Sequence, residues 1–162
     1  MDYPILKTPG EPRFDSLGVL KLRCTCAVPV NDRIFAQGQV GATDSHLYVR
    51  IWSFETSPAP QATLRAVFSH NGHTADLSVT AGGESALLLD GQPAGELLTA
   101  YQISGEDLQG EYWGAVMAVP FDRFSQALGL AEQDSFDGNL LREHPALSSA
   151  APVGQTVRFL LR

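Results

Sequence analysis

Residues that could perform acid–base chemistry are few in this sequence, and no familiar catalytic pattern connects them. The acids nearest to apolar segments are Glu55, Glu106, Asp107 and Glu111. Two carboxylates can hydrolyse a glycosidic bond, but the fold rather than the local sequence sets their separation. Solvation at the surface is the commoner role of such side chains. No nucleophile elbow, phosphate-binding loop, dinucleotide fingerprint or zinc-protease motif is present, so the sequence predicts no catalytic residues and no enzyme.

Histidines and acids also give no convincing metal-binding pattern. His70 and His73 flank the tight turn of the segment HNGH, and a metal site there would need a further ligand from elsewhere. The acidic segment ISGEDLQGEYW offers oxygen ligands for calcium but lacks the spacing of the helix-loop-helix calcium site. We therefore predict no metal and no cofactor, and we leave calcium at the acidic segment open.

The charge balance argues against several classes of partner. The 162 residues carry a formal net charge of −7 and no run of Lys and Arg, which is unfavourable for binding nucleic acid. No apolar stretch is long enough to span a bilayer, and the N-terminus lacks a basic segment followed by an apolar run. The sequence as it stands predicts a cytoplasmic protein with no membrane or nucleic-acid partner, and a secreted one if a signal segment had been removed.

Four side chains on apolar segments are the candidate ligand-binding residues: Tyr48, Arg50, Trp52 and Trp113. The three aromatic rings could stack against the C–H faces of sugar rings. Tyr, Trp and Arg are also the residues that dominate contacts between proteins. Aromatic residues on the strands of a sandwich are common in its core as well, so a packing role stays open for each ring.

The segments that hold these residues show the two-residue period of β-strands. In SHLYVRIWSF an aliphatic row is expected to face the core. It alternates with a second row, formed by His46, Tyr48, Arg50, Trp52 and Phe54. The other row is then free to meet water, a neighbouring loop or a ligand. In EYWGAVMAVPF, Trp113 begins a second alternating row, and Pro120 ends sheet pairing because it lacks an N–H donor.

Turn signals separate these strands. Asn71-Gly72 and Asp90-Gly91 are preferred pairs for two-residue hairpin turns that need positive φ. After Pro120, the apolar spacing in FDRFSQALGL predicts a short helix near residues 121–129.

Together these patterns predict an all-β fold, an antiparallel β-sandwich of immunoglobulin or jelly-roll type with one short helix. The strands are short and numerous, with turn signals between them. We expect a single domain over residues 1–162, in which residues 1–16 form an irregular leader because of their prolines and glycine. Cys24 and Cys26 would point the same way on one strand and are expected to be reduced core residues rather than a disulfide.

The order of segments resembles that of carbohydrate-binding module family 9-like domains. HLYVRIWSFETSP is similar to the strand and loop that come first in that family, and DLQGEYWGAVMAVPFDRF is similar to its tryptophan-containing strand and short helix. FDGNLLREHPALSSAAPV is similar to the tail, in which a Gly-Asn pair precedes a histidine and a Ser-Trp-x-Pro motif. The resemblance covers residues 40–153 and implies a non-catalytic sandwich in which Trp113 is a landmark of the fold.

The sequence departs from this family at the residues that clamp a sugar ring. The resemblance implies one clamp tryptophan near Ala59 and Pro60 and another at Ala150. Acids that often follow the first tryptophan are replaced by Ala62 and Arg65. We therefore expect a carbohydrate-binding-module-like domain with a degenerate or altered sugar site, whose carbohydrate partner is bound weakly. A protein-interaction or homodimerisation module on the same scaffold is the alternative.

Overall fold

The computed structural model describes residues 1–24, 34–132, 134–144 and 147–162, and most of the regular structure in them is β-strand. The strands are β1 (Asp2–Ile5), β2 (Lys7–Thr8), β3 (Leu20–Cys24), β4 (Ile34–Thr43), β5 (His46–Ser53), β6 (Thr63–His70), β7 (His73–Thr80), β8 (Ser85–Leu89), β9 (Gln92–Pro93), β10 (Thr99–Asp107), β11 (Gly110–Pro120), β12 (Ser135–Glu143), β13 (Ser148–Ser149) and β14 (Val157–Leu161). The α-helix α1 spans Phe121–Leu128, and short 3-10 turns span Phe14–Ser16 and Gly95–Leu97. Cys26 and the side chain of Cys24 lie outside the described residues.

The strands form one curled sheet that folds back on itself into two facing layers. Hydrogen-bonded neighbours follow the order β10, β11, β5, β4, β3, β13, β12, β6, β7, β8 and β9. The strands from β10 to β3 form the first layer, those from β12 to β9 form the second, and the two-residue β13 joins them. Neighbours in this order are antiparallel, whereas β1 pairs with β14 and β2 with β4 in parallel. This topology confirms the predicted antiparallel β-sandwich.

The two-residue period places one row of β5 and one row of β11 in the core. On β5, Leu47, Val49 and Ile51 are fully buried, as the alternation predicted. On β11, the row that begins at Trp113 is buried as well. β11 ends at Pro120, where the chain turns into α1.

Both predicted tight turns are present. Asn71 and Gly72 adopt φ angles of 49° and 84° between β6 and β7, and Asp90 and Gly91 adopt φ angles of 54° and 77° between β8 and β9. Two consecutive positive φ angles are typical of the hairpin turn that matches the right-handed twist of the strands. These dipeptides therefore fix the register of both hairpins.

Helix α1 closes one end of the sandwich, at the position predicted from the sequence. It contacts β5 and β11 of the first layer and β7 of the second. Phe124 and Leu128 are buried, and Gly129 ends the helix with a φ of 65°. No helix in the described part of the chain is long and apolar enough to cross a membrane.

The first sixteen residues are more regular than the irregular leader that their prolines predicted. β1 adds to β14 and β2 adds to β4. Tyr3 and Ile5 are buried, and the Tyr3 hydroxyl donates a hydrogen bond to Gly18 O at 2.7 Å and accepts one from Val40 N at 3.1 Å. Pro4 is compatible with β1 because that strand pairs on one side only. Strands this short show no period, which is why the sequence pattern did not predict them.

Four phenylalanines form the aromatic centre of the core: Phe68 on β6, Phe124 on α1, Phe136 on β12 and Phe159 on β14. Phe68 packs edge-on against the other three rings, with centroids 5.3 to 5.6 Å apart. Phe136 and Phe159 are stacked at 5.5 Å. Edge-on ring pairs stabilise a core beyond the area that they bury. The cluster therefore fastens the helix to the second layer.

Replacement of Gly114 on β11 should destabilise the first layer, because Trp52 on β5 occupies the space beside it. A Cβ at Gly114 would lie 2.5 Å from Ile51 O and 2.8 Å from Trp52 Cβ. We expect Gly114→Ala to lower the free energy of unfolding by about 1–3 kcal/mol, as for other overpacked sites. Urea denaturation measures this. Gly95→Ala is the control, because a Cβ there meets nothing within 4 Å, and equal losses in the two variants would contradict the packing explanation.

Candidate functional site

The predicted row of Tyr48, Arg50 and Trp52 lies on the outer surface of the first layer, where the leader covers it. Phe14 packs edge-on against Tyr48, with ring centroids 6.4 Å apart. The Arg50 guanidinium lies 5.6 Å from the centroid of Phe14 and 4.7 Å from that of Trp52. Trp52 is only 7 % exposed. In this structure the row therefore meets a neighbouring loop of its own chain.

Two features of β4 hold the leader over this row. Gln39 Nε2 donates hydrogen bonds to Phe14 O at 2.7 Å and to Leu17 O at 3.1 Å. Gly41 leaves room for Leu17, since a Cβ at Gly41 would lie 2.7 Å from Leu17 Cδ1. Gln39 is directly opposite Arg50 in the register of β4 and β5. The leader therefore crosses the aromatic row itself.

Trp113, the fourth candidate residue, faces the interior instead. It belongs to the buried row of β11, lies opposite Ser53 of β5 and is 8 % exposed. The structure thus divides the four candidates between the outer surface and the inner side of the first layer, and it does not bring them together in one site. As a ligand-binding set they stay a prediction.

An ion pair between buried Arg142 and half-buried Glu55, which the sequence analysis missed, lies beside Trp113. Arg142 Nε and Nη2 donate hydrogen bonds to the two carboxylate oxygens of Glu55 at 2.9 and 2.6 Å. Ser53 Oγ donates to the same carboxylate at 2.5 Å, and Arg142 Nη1 donates to His144 O at 3.1 Å. Glu55 follows β5 in the first layer, whereas Arg142 is on β12 in the second. The pair therefore joins the two layers.

This pair determines the ionisation of Glu55. Burial raises the pKa of the Glu55 carboxyl, but the hydrogen bonds from Arg142 and Ser53 and the charge of Arg142 outweigh it, so the pKa lies below its ordinary value. The Trp113 indole N–H also lowers the pKa of Glu55, although it forms no well-aligned hydrogen bond with a described residue. Glu55 is therefore charged at neutral pH.

The two positions of the expected clamp lie beside the second layer. Pro60 O accepts a hydrogen bond from Gly82 N at 2.9 Å, which ties the first loop to the turn after β7. Ala150 N donates to Leu140 O at 3.1 Å, which ties the tail to β12. Neither position carries an aromatic ring.

The Gly-Asn pair of the tail motif has a packing role. The amide of Asn139 holds the backbone of Ala151 on both sides: Nδ2 donates to Ala151 O at 3.1 Å, and Oδ1 accepts from Ala151 N at 2.9 Å. Gly138 makes room for β6, because a Cβ there would overlap Val67 O and lie 2.7 Å from Phe68 Cδ1. This part of the family resemblance therefore concerns the scaffold.

Arg65 organises the outer surface of the second layer. Its Nε and Nη2 donate to Asp76 Oδ1 and Oδ2 at 2.8 and 2.5 Å, and its Nη1 donates to Glu143 Oε1 at 3.2 Å. Asp76 is on β7 and Glu143 is on β12, so one guanidinium links three adjacent strands. We call the outer surface of β12, β6 and β7 around these three side chains the Arg65 face.

Two cavities lie along the Arg65 face. One, of about 460 Å³, is bordered by Leu141 and by Gln155 of the tail. The other, of about 580 Å³, lies between Pro60 and Thr80. Of the described residues that line the two cavities, none is Trp or Tyr, and the ring of Phe68 is buried in the core. The described lining of the two cavities therefore offers polar and aliphatic side chains but no stacking platform.

The histidines that flank the first hairpin turn have separate partners. His70 Nδ1 lies 2.9 Å from Leu128 O, whereas His73 Nδ1 lies 2.9 Å from Asp90 Oδ2. Within residues 1–24, 34–132, 134–144 and 147–162, no three His, Cys, Asp or Glu side chains are grouped so as to hold a metal ion. These ranges include the acidic segment at which calcium was left open.

Comparisons with known proteins identify the fold. No family model and no curated protein sequence matches this chain. A protein from Bacteroides uniformis ATCC 8492 that is provisionally described as carbohydrate-binding superimposes with a TM-score of 0.71 over 99 % of both chains, at 12 % sequence identity.

Two structures of a family 9 carbohydrate-binding module from Caldicellulosiruptor kristjanssonii also superimpose, at 10 % identity. The complex with cellotriose gives a TM-score of 0.65 over 100 % of this chain and 94 % of that one. The complex with glucose gives 0.63 over 98 % and 95 %. The chain therefore has the fold of family 9 carbohydrate-binding modules, as its sequence resemblance indicated.

Replacement of Glu55 by Gln should destabilise the protein, and more so at neutral than at acidic pH. Arg142 is buried and Glu55 is half-buried, so loss of the Glu55 charge should cost about 1–3 kcal/mol, because the Arg142 charge stays buried without its full partner. Folding lowers the pKa of Glu55, so its charge stabilises the fold above the unfolded pKa. That stabilisation is lost as the pH falls through the lower folded pKa. Urea denaturation of both proteins at about pH 7 and about pH 3 measures the difference.

The control for this experiment is Glu96→Gln. Glu96 is exposed and forms no salt bridge with a described residue, so its replacement should change the free energy of unfolding by less than about 0.5 kcal/mol. A loss in Glu55→Gln that is equal at both pH values would contradict the role of the charge.

Proposed function

We propose that this protein is a non-catalytic, carbohydrate-binding-module-like domain that has lost the aromatic clamp of its sugar site. The observation that carries the proposal is the Arg65 face, whose described lining holds no Trp or Tyr. The positions of the expected clamp hold Ala59, Pro60 and Ala150. Carbohydrate as the ligand class is supported by the superimposed Caldicellulosiruptor kristjanssonii modules, which are complexes with cellotriose and glucose.

The missing rings should weaken binding of a neutral sugar strongly. Aromatic faces exclude water from the contact, and truncation of such a contact typically costs about 2 kcal/mol or more. Since about 1.4 kcal/mol is a tenfold change in affinity, loss of two rings turns a micromolar site into a millimolar one.

The polar groups of the Arg65 face also bind one another. Arg65 uses three N–H donors on Asp76 and Glu143, and both carboxylates accept hydrogen bonds from it. A sugar hydroxyl must compete with these intramolecular hydrogen bonds. Because the carboxylates of this face are paired with Arg65 rather than free to act on a bound sugar, the arrangement favours weak binding without catalysis.

The alternative, an interaction or homodimerisation module, depended on an accessible face of His46, Tyr48, Arg50, Trp52 and Phe54. Phe14 and the leader lie over that face. The structure therefore offers this alternative less support than it offers a carbohydrate-binding scaffold.

Neutral sugars are expected to bind with dissociation constants above about 0.1 mM. Glucose, cellobiose and xylobiose should be titrated by calorimetry. Tryptophan emission then distinguishes the sites, because neither Trp52 nor Trp113 lines the cavities of the Arg65 face and a change in emission would indicate binding elsewhere. Saturable binding tighter than this limit would overturn the lost-clamp proposal. If Trp52→Phe then weakened that binding, the site would lie on the outer aromatic row.

Restoration of the clamp should raise the affinity for cellobiose. We expect Ala150→Trp, combined with Pro60→Trp, to bind it at least about tenfold more tightly, a gain of about 1.4 kcal/mol. Val153→Trp is the control, because Val153 is 73 % exposed in the same tail and is not an expected clamp position. Thermal melts verify that each variant is folded. Equal affinities in the folded clamp variant and the control would show that these are not the clamp positions.

A further inference from the structure

The edge of the sheet at β10 is long and open. β10 is the last strand in the hydrogen-bonded order and pairs with β11 alone among the described strands. Successive residues of a strand direct their backbone groups to opposite sides, so every second residue of β10 points its N–H and C=O away from β11. The strand is held in place, because Gln102 Nε2 donates hydrogen bonds to Thr80 O at 3.0 Å and to Ala81 O at 3.1 Å. The edge is therefore a fixed template for a further strand.

β10 lacks most of the features that protect an edge strand from pairing. Short length, proline, bulges and charges are the usual protection. At the other end of the order, β9 has two residues and ends at Pro93, which has no N–H to donate. β10 has nine residues, pairs with β11 over all nine without a register shift and contains no Pro, Lys or Arg. Its charged side chains are confined to Glu106 and Asp107, at its end.

Two apolar side chains of β10 lie on the outer surface of the first layer. Tyr101 and Ile103 are opposite Val116 and Gly114 of β11, in the row that alternates with the buried row of Trp113. Tyr101 is 56 % exposed, and Ile103 is half-buried. An aromatic ring directly opposite a β-branched side chain stabilises a pair of antiparallel strands. β10 carries one of each, two positions apart.

This spacing makes β10 complementary to a second copy of itself. When two copies pair in antiparallel around a two-fold axis at Gln102, Tyr101 of each copy lies opposite Ile103 of the other. An axis at Ile103 would instead place Tyr101 opposite Gly105. That position is already covered by Tyr112 of the same chain, because a Cβ at Gly105 would lie 2.7 Å from the Tyr112 hydroxyl oxygen. The register around Gln102 therefore fits better.

The acids of β10 determine the direction of this pairing. Parallel pairing would bring Glu106 and Asp107 of both copies together, and like charges on neighbouring strands destabilise a sheet. In antiparallel pairing around Gln102, the acids of the two copies lie at opposite ends of the interface. Each acidic end is then beside the neutral residues Leu97 and Leu98, which precede β10 in the other copy.

We propose that two copies of this chain dimerise through β10, joining their first layers into one continuous antiparallel sheet with a two-fold axis at Gln102. Because the same strand is used by both copies, the assembly closes at two. The interface leaves the leader in place over Tyr48 and Arg50, and it does not use the Arg65 face. It is therefore independent of the proposed sugar site.

Analytical ultracentrifugation of the whole chain tests the dimer. A single added strand is a small interface, so we expect a dissociation constant of about 0.1 mM. Tyr101→Lys should weaken the dimer at least about tenfold, because a charged group replaces the ring at the edge. Leu108→Lys makes the same change of charge at a fully exposed side chain beyond the end of β10 and should leave the constant unchanged. A chain that stays monomeric at about 1 mM, or equal effects of the two variants, would overturn the proposal.

A cysteine at the axis tests the register. Residues directly opposite each other in antiparallel strands have Cα atoms about 4.5 or 5.5 Å apart, which is within reach of a disulfide. Gln102→Cys should therefore cross-link two copies under mild oxidation. Glu106→Cys is the control, because its counterparts in the dimer would be about 27 Å apart and should cross-link no more than the native protein does. Thermal melts verify that both variants are folded, and equal cross-linking of the two would overturn the axis at Gln102.

Discussion

The ion pair between Arg142 and Glu55 is the constraint on which one end of the sandwich depends. Two charges are costly to bury unless their remaining hydrogen-bonding groups are satisfied, and here Ser53 and the carbonyl of His144 contribute to that. The pair fixes the loop after β5 against the end of β12. Glu55 lines a cleft beside the hairpin of β10 and β11, while His144 lines a cavity of the Arg65 face. A single interaction thus connects the surfaces that border these two cavities.

Scaffold and site follow different physical requirements in this chain. Gly138 and Asn139 are needed for packing and for holding the tail, and Trp113 and Pro120 shape β11; each therefore retains its place in the family pattern. Ala150 is a small, partly buried residue that packs against the core, so the sandwich forms without an aromatic ring at this position. This explains how the chain superimposes over nearly its full length on sugar-binding modules without their expected aromatic residues.

Local patterns in the sequence were enough to predict β5, β11, the hairpin turns and helix α1, because alternation, Asn-Gly and Asp-Gly pairs and Gly129 act within a few residues. Contacts between distant segments were not predictable in this way. Arg142 and Glu55 are 87 positions apart, and the residues next to each of them in the sequence give no sign of the contact. The cover of Tyr48 and Arg50 by Phe14 was unpredictable for the same reason. The sequence pattern showed the row itself, whereas its cover depends on Gln39, which binds a segment without any periodicity.

The parallel pairing of β1 with β14 has a mechanical consequence. The two strands run in the same direction, from Asp2 beside Arg158 to Ile5 beside Leu161. Tension applied to Met1 and Arg162 in opposite directions pulls these strands lengthwise past each other. Their hydrogen bonds are then loaded together instead of opening one after another, as they would if the strands were peeled apart. The pairing of β1 with β14 therefore resists shear, and it would keep the sandwich closed in a protein held under tension at both ends.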